Sequence, residues 1–440
     1  MAKDLRRAAG APATGPRQSV ADLVGALRQT DEAVFGRPVQ RWSSRARTVD
    51  GIQRELGRIW SAPALAEVIG ASGERHVAAR TSVLNLVVVA GRPETGVHAA
   101  ATITQMAGRH PSRSLILTAA DPDGPAWLDA QIEAHCVLPA PGVAETCAEM
   151  IFVTAGGESG RHLAAIIVPL LIHDLPVLLW WPSDPSFRSH PARELLPMVD
   201  RLIVDGSAWA GDGLDRLVEM AHVAGRLGND IADFGLIRQA RWREALASVF
   251  DRPELQPYLG SIRAISVDYA AADDADTARR TNVVKPVYHV AWLASRLGMT
   301  VAEPLRSVPE GGRRARLRRP GGTVEVSLRP VRSSRPGGTT LRVELVARRR
   351  GTTLVGDVTA GDETVDVRIL EDGRELLARS FLAPRQREVD LLSQVIEAVG
   401  HDAIGAATLR LAAALAKGGP RTTGEPRPAV ADAIQPGGAG

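Results

Sequence analysis

The chain has 440 residues but only two cysteines and three lysines, which are Cys136, Cys147, Lys3, Lys285 and Lys417. Two cysteines cannot build a disulfide framework for a chain of this size, so we expect a reducing, cytoplasmic compartment. No G-x-x-x-x-G-K-[ST] motif occurs, and no lysine is placed to complete one, which argues against a nucleotide-binding phosphate loop.

Neither an excess of one charge nor a long apolar run is present. The 53 basic and 50 acidic residues give a formal net charge of +3, too nearly balanced to indicate a polyanion partner. The most apolar stretch, residues 163–181, is interrupted by His173, Asp174 and two prolines. A spanning helix needs about 20 nearly uninterrupted apolar residues. We therefore predict a buried helix followed by a buried strand, and no membrane association.

Catalytic and metal-binding motifs are also missing. There is no G-x-S-x-G nucleophile motif and no G-x-G-x-x-G after a strand. His135, Cys136, Cys147 and Glu149 flank one turn without a second ligand pair, so we interpret them as strand residues placed by packing. The two cysteines could face each other across paired strands, but two reduced, half-buried thiols are the favoured interpretation. Arg113 is interpreted as a structural ion-pair or capping partner, and we predict that the chain is not an enzyme and binds no cofactor.

The pattern of apolar residues predicts an α/β fold over residues 51–235, with a mostly parallel mixed sheet and helices on both faces. An apolar helical stripe begins at Ile52, and short, nearly continuous apolar runs alternate with helical stretches, which is typical of buried parallel strands. The predicted strands are residues 83–89, 114–118, 131–138, 147–154, 177–181 and 202–205. A Pro-Gly turn between the third and fourth of these predicts one antiparallel pair.

The remainder of the chain divides by composition. Residues 1–50 are predicted to be a loosely ordered extension, and residues 236–305 a helical connector packed on the α/β domain. Period-two runs at 323–328, 341–346 and 364–370 predict an antiparallel β-meander in residues 306–417, closed by two helices. Two arginine clusters, 313–319 and 348–350, are placed in its turns, on a solvated or protein-facing surface rather than a nucleic-acid site. Residues 418–440 are predicted to be disordered.

One segment has the features of an anion-binding loop. A strand ends near Thr154, a glycine-rich turn follows, and a helix begins, so that free amides would point at the loop. The candidate residues are Gly156, Gly157, Ser159, Gly160 and Arg161. A purely structural turn between strand and helix is the favoured alternative, because Glu158 in the loop would repel an anion.

A second set of residues follows strands at the same predicted edge of the sheet. It comprises Trp180, Trp181, Asp184 and Asp205. Successive strand residues point to opposite faces, so the two tryptophans cannot enter the same core layer. One of them could be exposed as a protein-interface anchor; the favoured alternative is burial of both, in two layers.

Twelve short segments follow one another along the chain: IQRELGRIW (52–60), RTSVLNLVV (80–88), HPSR (110–113), CAE (147–149), RHL (161–163), VPLL (168–171), DLPV (174–177), WWP (180–182), DRLIVD (200–205), WRE (242–244), FD (250–251) and WLASRL (292–297). In this order they resemble the glucose-6-phosphate dehydrogenase assembly (OpcA) family. The resemblance covers roughly residues 52–297 well and the meander by pattern only.

This resemblance implies a non-catalytic protein that promotes assembly and activation of glucose-6-phosphate dehydrogenase. It would act by binding the active oligomeric state more tightly than the inactive one. No catalytic residues come with the family. The alternative is a sugar-phosphate-binding protein or enzyme that uses the loop from Gly156 to Gly160 at a helix N-terminus.

Overall fold

The computed structural model describes residues 38–61, 68–69, 75–76, 78–80, 82–121, 123–137, 145–228, 230–272, 280–309 and 311–417. The predictions for residues 1–37 and for the tail 418–440 lie outside the described residues. The described chain forms two large sheets and the helices that cover them, in agreement with the predicted α/β fold. Within the described residues, no helix has the length and apolar character needed to cross a membrane.

The first sheet has nine strands in the order β1-β7-β8-β6-β5-β9-β10-β11, with the short β4 beside β8. The strands from β8 to β11 are parallel, whereas β7 runs antiparallel to β8 and to β1. The bounds are β1 (Pro38–Ala46), β4 (Ala78–Arg80), β5 (Leu84–Ala90), β6 (Ser112–Ala120), β7 (Trp127–Val137), β8 (Glu145–Gly156), β9 (Val177–Trp181), β10 (Arg201–Val204) and β11 (Asp230–Asp233); a separate hairpin pairs β2 (Val68–Ile69) with β3 (Arg75–His76).

Helices cover both faces of this sheet because its strands are apolar at nearly every position. All seven residues of β5 and all five of β9 are buried. One face packs against α1 (Val49–Ser61), α4 (Leu163–Ile167), α5 (His190–Leu195) and α6 (Leu214–Leu227). The other face packs against α2 (Pro93–Met106) and α10 (Glu388–Glu397). The last of these comes from the far end of the chain.

The buried helix predicted in the first part of residues 163–181 is instead broken into short pieces. α3 (Gly157–Arg161) ends at His162, whose φ of −105° and ψ of 61° are not helical, and α4 follows it. A 3₁₀ turn, Val168–Leu170, then ends the segment. Pro169 lacks the N–H that a continuing helix would require, which explains why the helix stops here. The break at His162 matters for the site described below.

The second sheet has eight strands in the order β13-β14-β15-β12-β16-β17-β18-β19. Every neighbouring pair is antiparallel except β12 and β15. The bounds are β12 (Ile262–Ala271), β13 (Thr300–Ser307), β14 (Arg313–Arg319), β15 (Gly322–Arg332), β16 (Thr340–Arg349), β17 (Thr352–Ala360), β18 (Thr364–Glu371) and β19 (Arg374–Leu382). α8 (Ala240–Ser248) and α9 (Val284–Arg296) pack on its inner face. α7 (Phe234–Ile237) and α11 (Ala403–Ala416) complete the helices.

The structure differs from the predicted organisation in four places. Residues 38–46 form the edge strand β1, and residues 262–271 of the predicted connector form a central strand of the second sheet. Residues 313–319, predicted to be a turn, form strand β14. The two closing helices do not merely cover the meander: α10 packs on α2 and α11 on α6 and α9. A continuous apolar cluster joins the two sheets.

Candidate functional site at the carboxyl edge of the first sheet

The six parallel strands from β8 to β11 place the candidate site at one edge of the first sheet. With the short parallel strand β4 left aside, their order along the chain, read across the sheet from β8 to β11, is third, second, first, fourth, fifth and sixth. The order in which the chain adds strands therefore reverses between β5 and β9. Open α/β sheets bind ligands outside the carboxyl ends of their strands, at such a switch point. A ligand site of this kind would be formed by the turns that follow β5, β8, β9, β10 and β11.

The turn between β5 and α2 has a spacing that the sequence search missed. Gly91 and Gly96 stand at the first and third glycine positions of a G-x-G-x-x-G turn, but Pro93 stands at the second. That glycine lets the backbone approach a pyrophosphate closely, whereas proline adds a ring and has no N–H to donate. The full motif requires all three glycines. The strand-turn-helix context of Gly91 and Gly96 was the available signal, and it indicates a turn unsuited to a dinucleotide.

The predicted anion loop is filled by its own chain. A Cβ atom at Gly156 would lie 2.0 Å from the indole nitrogen of Trp127, and one at Gly157 would lie 2.4 Å from the carbonyl of Gly124. The amide of Gly157 donates to the carbonyl of Asp121 at 2.9 Å. The glycines thus allow the turn before β7 to pack closely, and the structural alternative is the one that the geometry supports.

The charged member of that loop is paired as well. Arg161 Nη2 lies 2.9 Å from Asp123 Oδ1, and its other terminal nitrogen lies 3.6 Å from Glu158. Ser159 is half-buried and Gly160 is buried. A Cβ atom at Gly160 would lie 2.7 Å from the carbonyl oxygen of Ala155, so no open space remains there. The following helix, α3, has only five residues. The loop therefore does not present an open set of donors to an anion.

Both tryptophans of the predicted interface are buried, on opposite faces of the sheet. Trp180 is 0% exposed and packs with Phe234 and the α2–α10 layer, whereas Trp181 is 5% exposed in the layer of α4 to α6. The hypothesis of an exposed tryptophan anchor is therefore wrong for this structure, and burial in two layers is correct. Successive side chains of β9 point to opposite faces, and both faces are covered.

The two predicted acidic residues lie at the edge and have partners. Asp184 Oδ1 accepts from Arg216 Nε at 2.8 Å, which ties the turn after β9 to α6. Asp205 accepts from the hydroxyl of Ser207 at 2.6 Å and from Arg238 at 2.6 Å. These aspartates therefore hold the turns that follow β9 and β10.

A buried polar cluster that the sequence analysis missed adjoins Asp205. Asp233 accepts from the amides of Gly206 (2.9 Å) and Gly235 (2.7 Å) and from the hydroxyl of Tyr288 (2.6 Å). Burial, with the negative charge of Asp205 as a second cause, raises the pKa of Asp233 to about 6. Burial, and then the charge of Asp233, raises the pKa of Tyr288 well above its usual value. The cluster joins the end of β11 to α9.

Two partly buried cations, Lys285 and Arg238, lie near this cluster. Burial lowers the pKa of Lys285, the charge of Asp205 opposes that shift, and the charge of Arg238 adds to it. Arg238 also has its guanidinium 5.8 Å from the ring centre of Phe234. Asp205 is thus the carboxylate that compensates both cations, and its loss would leave two positive charges together.

Two cavities flank the connection between α10 and α11. Their volumes are ≈ 210 Å³ and ≈ 200 Å³, below the range of about 300–1,000 Å³ usual for small-molecule sites. One of the two arginines that line the larger one, Arg201, already donates to Asp230 at 2.7 Å and to three main-chain carbonyls at the end of α10, those of Val395, Ala398 and Gly400. Arg201 therefore caps the carboxyl end of α10, and the cavity beside it is too small for a usual small-molecule site.

The two cysteines and the polar residues beside them are all bonded to partners within the protein. Cys136 and Cys147 lie directly opposite each other on β7 and β8, are fully buried, and form a disulfide. The favoured prediction of reduced, half-buried thiols is therefore wrong, because the register places the two side chains face to face. His135 bonds to Glu133, and Glu149 bonds to Arg113 at 2.5 Å. The prediction that Arg113 is a structural ion-pair partner is confirmed.

Two family models and one curated relative agree on the same family for this chain. Residues 103–222 match the glucose-6-phosphate dehydrogenase subunit N-terminal domain, and residues 229–409 match the C-terminal domain of the same subunit. The chain is 29% identical over 198 residues to a Synechocystis sp. protein named for the OxPP cycle as OpcA. That match covers 44% of this chain and 39% of the relative, so the chain matches well under two thirds of the relative's length.

Solved structures give a weaker likeness. The UDP-N-acetylglucosamine 3-dehydrogenase GnnA from Acidithiobacillus ferrooxidans is 10% identical, with a TM-score of 0.39 over 76% of this chain and 96% of that one. The WlbA dehydrogenase from Thermus thermophilus is 12% identical, with a TM-score of 0.39 over 78% and 97%. Scores this low support no inference about activity. The two domain matches, which together cover most of the chain and include strands of both sheets, instead decide the assignment: the chain belongs to the glucose-6-phosphate dehydrogenase assembly (OpcA) family.

Proposed function

We propose that this chain is a non-catalytic partner of glucose-6-phosphate dehydrogenase that favours the active oligomeric state of that enzyme. Membership of the OpcA family, through domain matches over residues 103–222 and 229–409, is the observation that carries the proposal. A partner that binds one oligomeric state more tightly than another shifts the equilibrium by that difference in affinity. No chemistry of its own is required for this effect.

The carboxyl edge of the first sheet supports a role without catalysis. Pro93 removes an amide from the turn where a dinucleotide phosphate would bind. Asp184 and Asp205 are paired with Arg216 and Arg238, and the glycines after β8 are packed against the chain itself. These groups stabilise the turns of the edge rather than surround an open space for a substrate.

For the interface we favour the outer face of the second sheet. α8 and α9 cover its inner face, whereas the outer side chains stay partly exposed. Eight strands spaced about 4.8 Å apart and about 25 Å long give roughly 850 Å², close to the about 800 Å² that each partner contributes to a standard interface.

The charged side chains on this face form pairs of opposite sign. Arg329 pairs with Asp268 at 2.6 Å, Arg342 with Asp357 at 2.5 Å, and Arg368 with Glu375 at 2.9 Å. Such alternation gives no attraction to a polyanion, but a protein surface with a complementary pattern can bind it in one register. The pattern therefore favours a protein partner.

The test is glucose-6-phosphate dehydrogenase activity and oligomer mass with and without the full chain. We expect the wild-type protein to raise activity and to shift the mass to the larger oligomer. No change in either quantity would overturn the proposed function itself.

A matched pair of variants then tests the interface separately. Arg329→Glu on the outer face should raise the concentration needed for half-maximal activation at least about tenfold. Its unfolding midpoint is measured alongside, because the new carboxylate faces Asp268 on the neighbouring strand. Arg58→Glu is the control, because Arg58 is an exposed arginine on α1 that also pairs with a glutamate, Glu55. If Arg329→Glu activates as well as wild type, the interface lies on another surface even though the function stands.

A further inference from the structure

Two histidines and a glutamate converge where the segments after β8 and β9 meet. His162 occupies the break between α3 and α4, and His190 and Glu194 lie four residues apart on α5, hence on one side of that helix. The hydroxyl of Ser189 accepts from the amide of Ala192 and fixes the start of α5, which positions His190. The packed segments after two different strands thus bring the three side chains together.

The three donor atoms form a small triangle. His162 Nδ1 lies 2.8 Å from Glu194 Oε1, His190 Nε2 lies 2.9 Å from the same oxygen, and the two ring nitrogens are 3.2 Å apart. A tetrahedral zinc ion with bonds of about 2.0–2.1 Å holds its ligand atoms about 3.3 Å apart. The triangle therefore needs to open by only a few tenths of an ångström to accept such an ion.

The other ring nitrogen of His162, Nε2, faces a carboxylate outside the triangle. This nitrogen lies 2.8 Å from Glu158 Oε1, so that a proton on Nε2 is donated to a carboxylate. Metal-binding histidines usually donate their second ring N–H in this way, which fixes the tautomer and turns the remaining lone pair to the ion. Glu194 is also oriented, because its second oxygen accepts from the amide of Ala164 at 3.4 Å.

The site is accessible from solvent. The side chains of His162 and His190 are 44% and 45% exposed, and that of Glu194 is 23% exposed. Arg161, the residue before His162, is directed to Asp123 and Glu158 rather than to the triangle. An ion can therefore enter without displacing a packed side chain.

We propose that His162, His190 and Glu194 form a binding site for a divalent transition metal of the zinc type, with Glu158 as the carboxylate that orients His162. Two imidazole nitrogens and one carboxylate oxygen are ligands that suit Zn²⁺ and Co²⁺ and suit Ca²⁺ or Mg²⁺ poorly. Three protein ligands leave the fourth position to water. Bound metal would clamp α5 to the break between α3 and α4.

The test uses the full chain without a histidine tag, treated with a chelator and titrated with Co²⁺ in the visible range and with Zn²⁺ by calorimetry. We expect one ion per chain and the intense absorption of tetrahedral Co²⁺. His190→Gln and His162→Gln should each abolish that absorption, and Glu158→Gln should weaken the affinity about 10- to 100-fold without abolishing it.

His173→Gln is the matched control, because His173 is an exposed histidine of the same domain away from the triangle. Its binding curve should superimpose on that of the wild type. Unfolding midpoints of all variants without metal confirm that each is folded, and the two separate histidine variants keep the test decisive if one of them is not. The proposal is overturned by the absence of saturable Co²⁺ absorption, or by equal binding in the wild type and His190→Gln.

Discussion

The two sheets bury their side chains in different ways. In β5 and β9 of the first sheet every residue is buried, because helices lie on both faces. In β17 of the second sheet, Leu354, Gly356 and Val358 are buried while the residues between them are not, because only one face is covered. A parallel sheet joined by crossovers receives helices on both faces, whereas an antiparallel sheet joined by hairpins can leave one face to water or to a partner. Substitutions should therefore be costly at adjacent positions of the first sheet and at alternate positions of the second.

The tryptophan pair of β9 gives the largest expected effect. Trp180→Ala and Trp181→Ala should each lower the free energy of unfolding by about 3–5 kcal/mol, because each leaves a cavity in a different covered layer. Urea unfolding of the two variants measures this. A small effect for either one would mean that the corresponding face is not closely packed, and would restore that tryptophan as a candidate for the interface.

A buried ion pair at the amino end of the first sheet gives the next effect. Arg113 donates to Glu149 at 2.5 Å and to the carbonyl of Leu170 at 2.7 Å, and Trp60 also donates to Glu149. Arg113→Met should cost about 3 kcal/mol or more, because the carboxylate is left buried without its main partner.

A double-variant cycle provides the control for this pair. Arg113→Met combined with Glu149→Gln should cost clearly less than the sum of the two single variants, since the second change removes the stranded charge. Additive costs would show that the two side chains contribute independently, contrary to the contact observed between them.

Periodicity explains how much of this fold could be predicted. The continuous apolar runs of β5, β6 and β9 predicted the first sheet, and the alternation in β15, β16 and β18 predicted three of the eight strands of the second. β14 was missed because its inward positions include Arg313, whose charge looks like that of a turn. In the structure this arginine is buried and bonds to Asp212 at 2.7 Å. Its partner lies 101 residues away in the sequence, and no local pattern reveals it.

The candidate sites were less predictable for the same reason. The glycine-rich loop and the tryptophan pair were visible as local motifs, but whether they are open depends on segments packed from elsewhere, namely the turn before β7 and helix α10. The Asp233 cluster and the His162 triangle join residues from separate segments. Sequence spacing could place them at one edge of a sheet but could not bring their atoms into contact.

The boundary between the two sheets should show a characteristic pH dependence. The folded-state pKa of Asp233 is raised to about 6, above its unfolded value of about 3.9. Its contribution to stability is therefore fully present below the unfolded pKa and is lost as pH rises through 6. Two pKa units correspond to about 3 kcal/mol. The stability of the wild type relative to Asp233→Asn should fall by about this amount between pH 4 and pH 7.

Urea unfolding at several pH values measures that difference. The asparagine can still accept from the amides of Gly206 and Gly235 and does not titrate, which makes it a suitable reference. A difference that stays constant from pH 4 to pH 7 would contradict the raised pKa, and a difference that grows would reverse its direction.

Adjacent residues of β18 give the smallest effect and the sharpest form of the comparison. Val367 is 1% exposed on the inner face, so Val367→Ala should cost about 2 kcal/mol. Arg368 points outward, its side chain is 55% exposed, and its pairing with Glu375 is open to solvent. Arg368→Ala should therefore change the free energy of unfolding by less than about 1 kcal/mol. Equal costs at the two positions would mean that the outer face is covered within this chain, leaving no room there for the proposed partner.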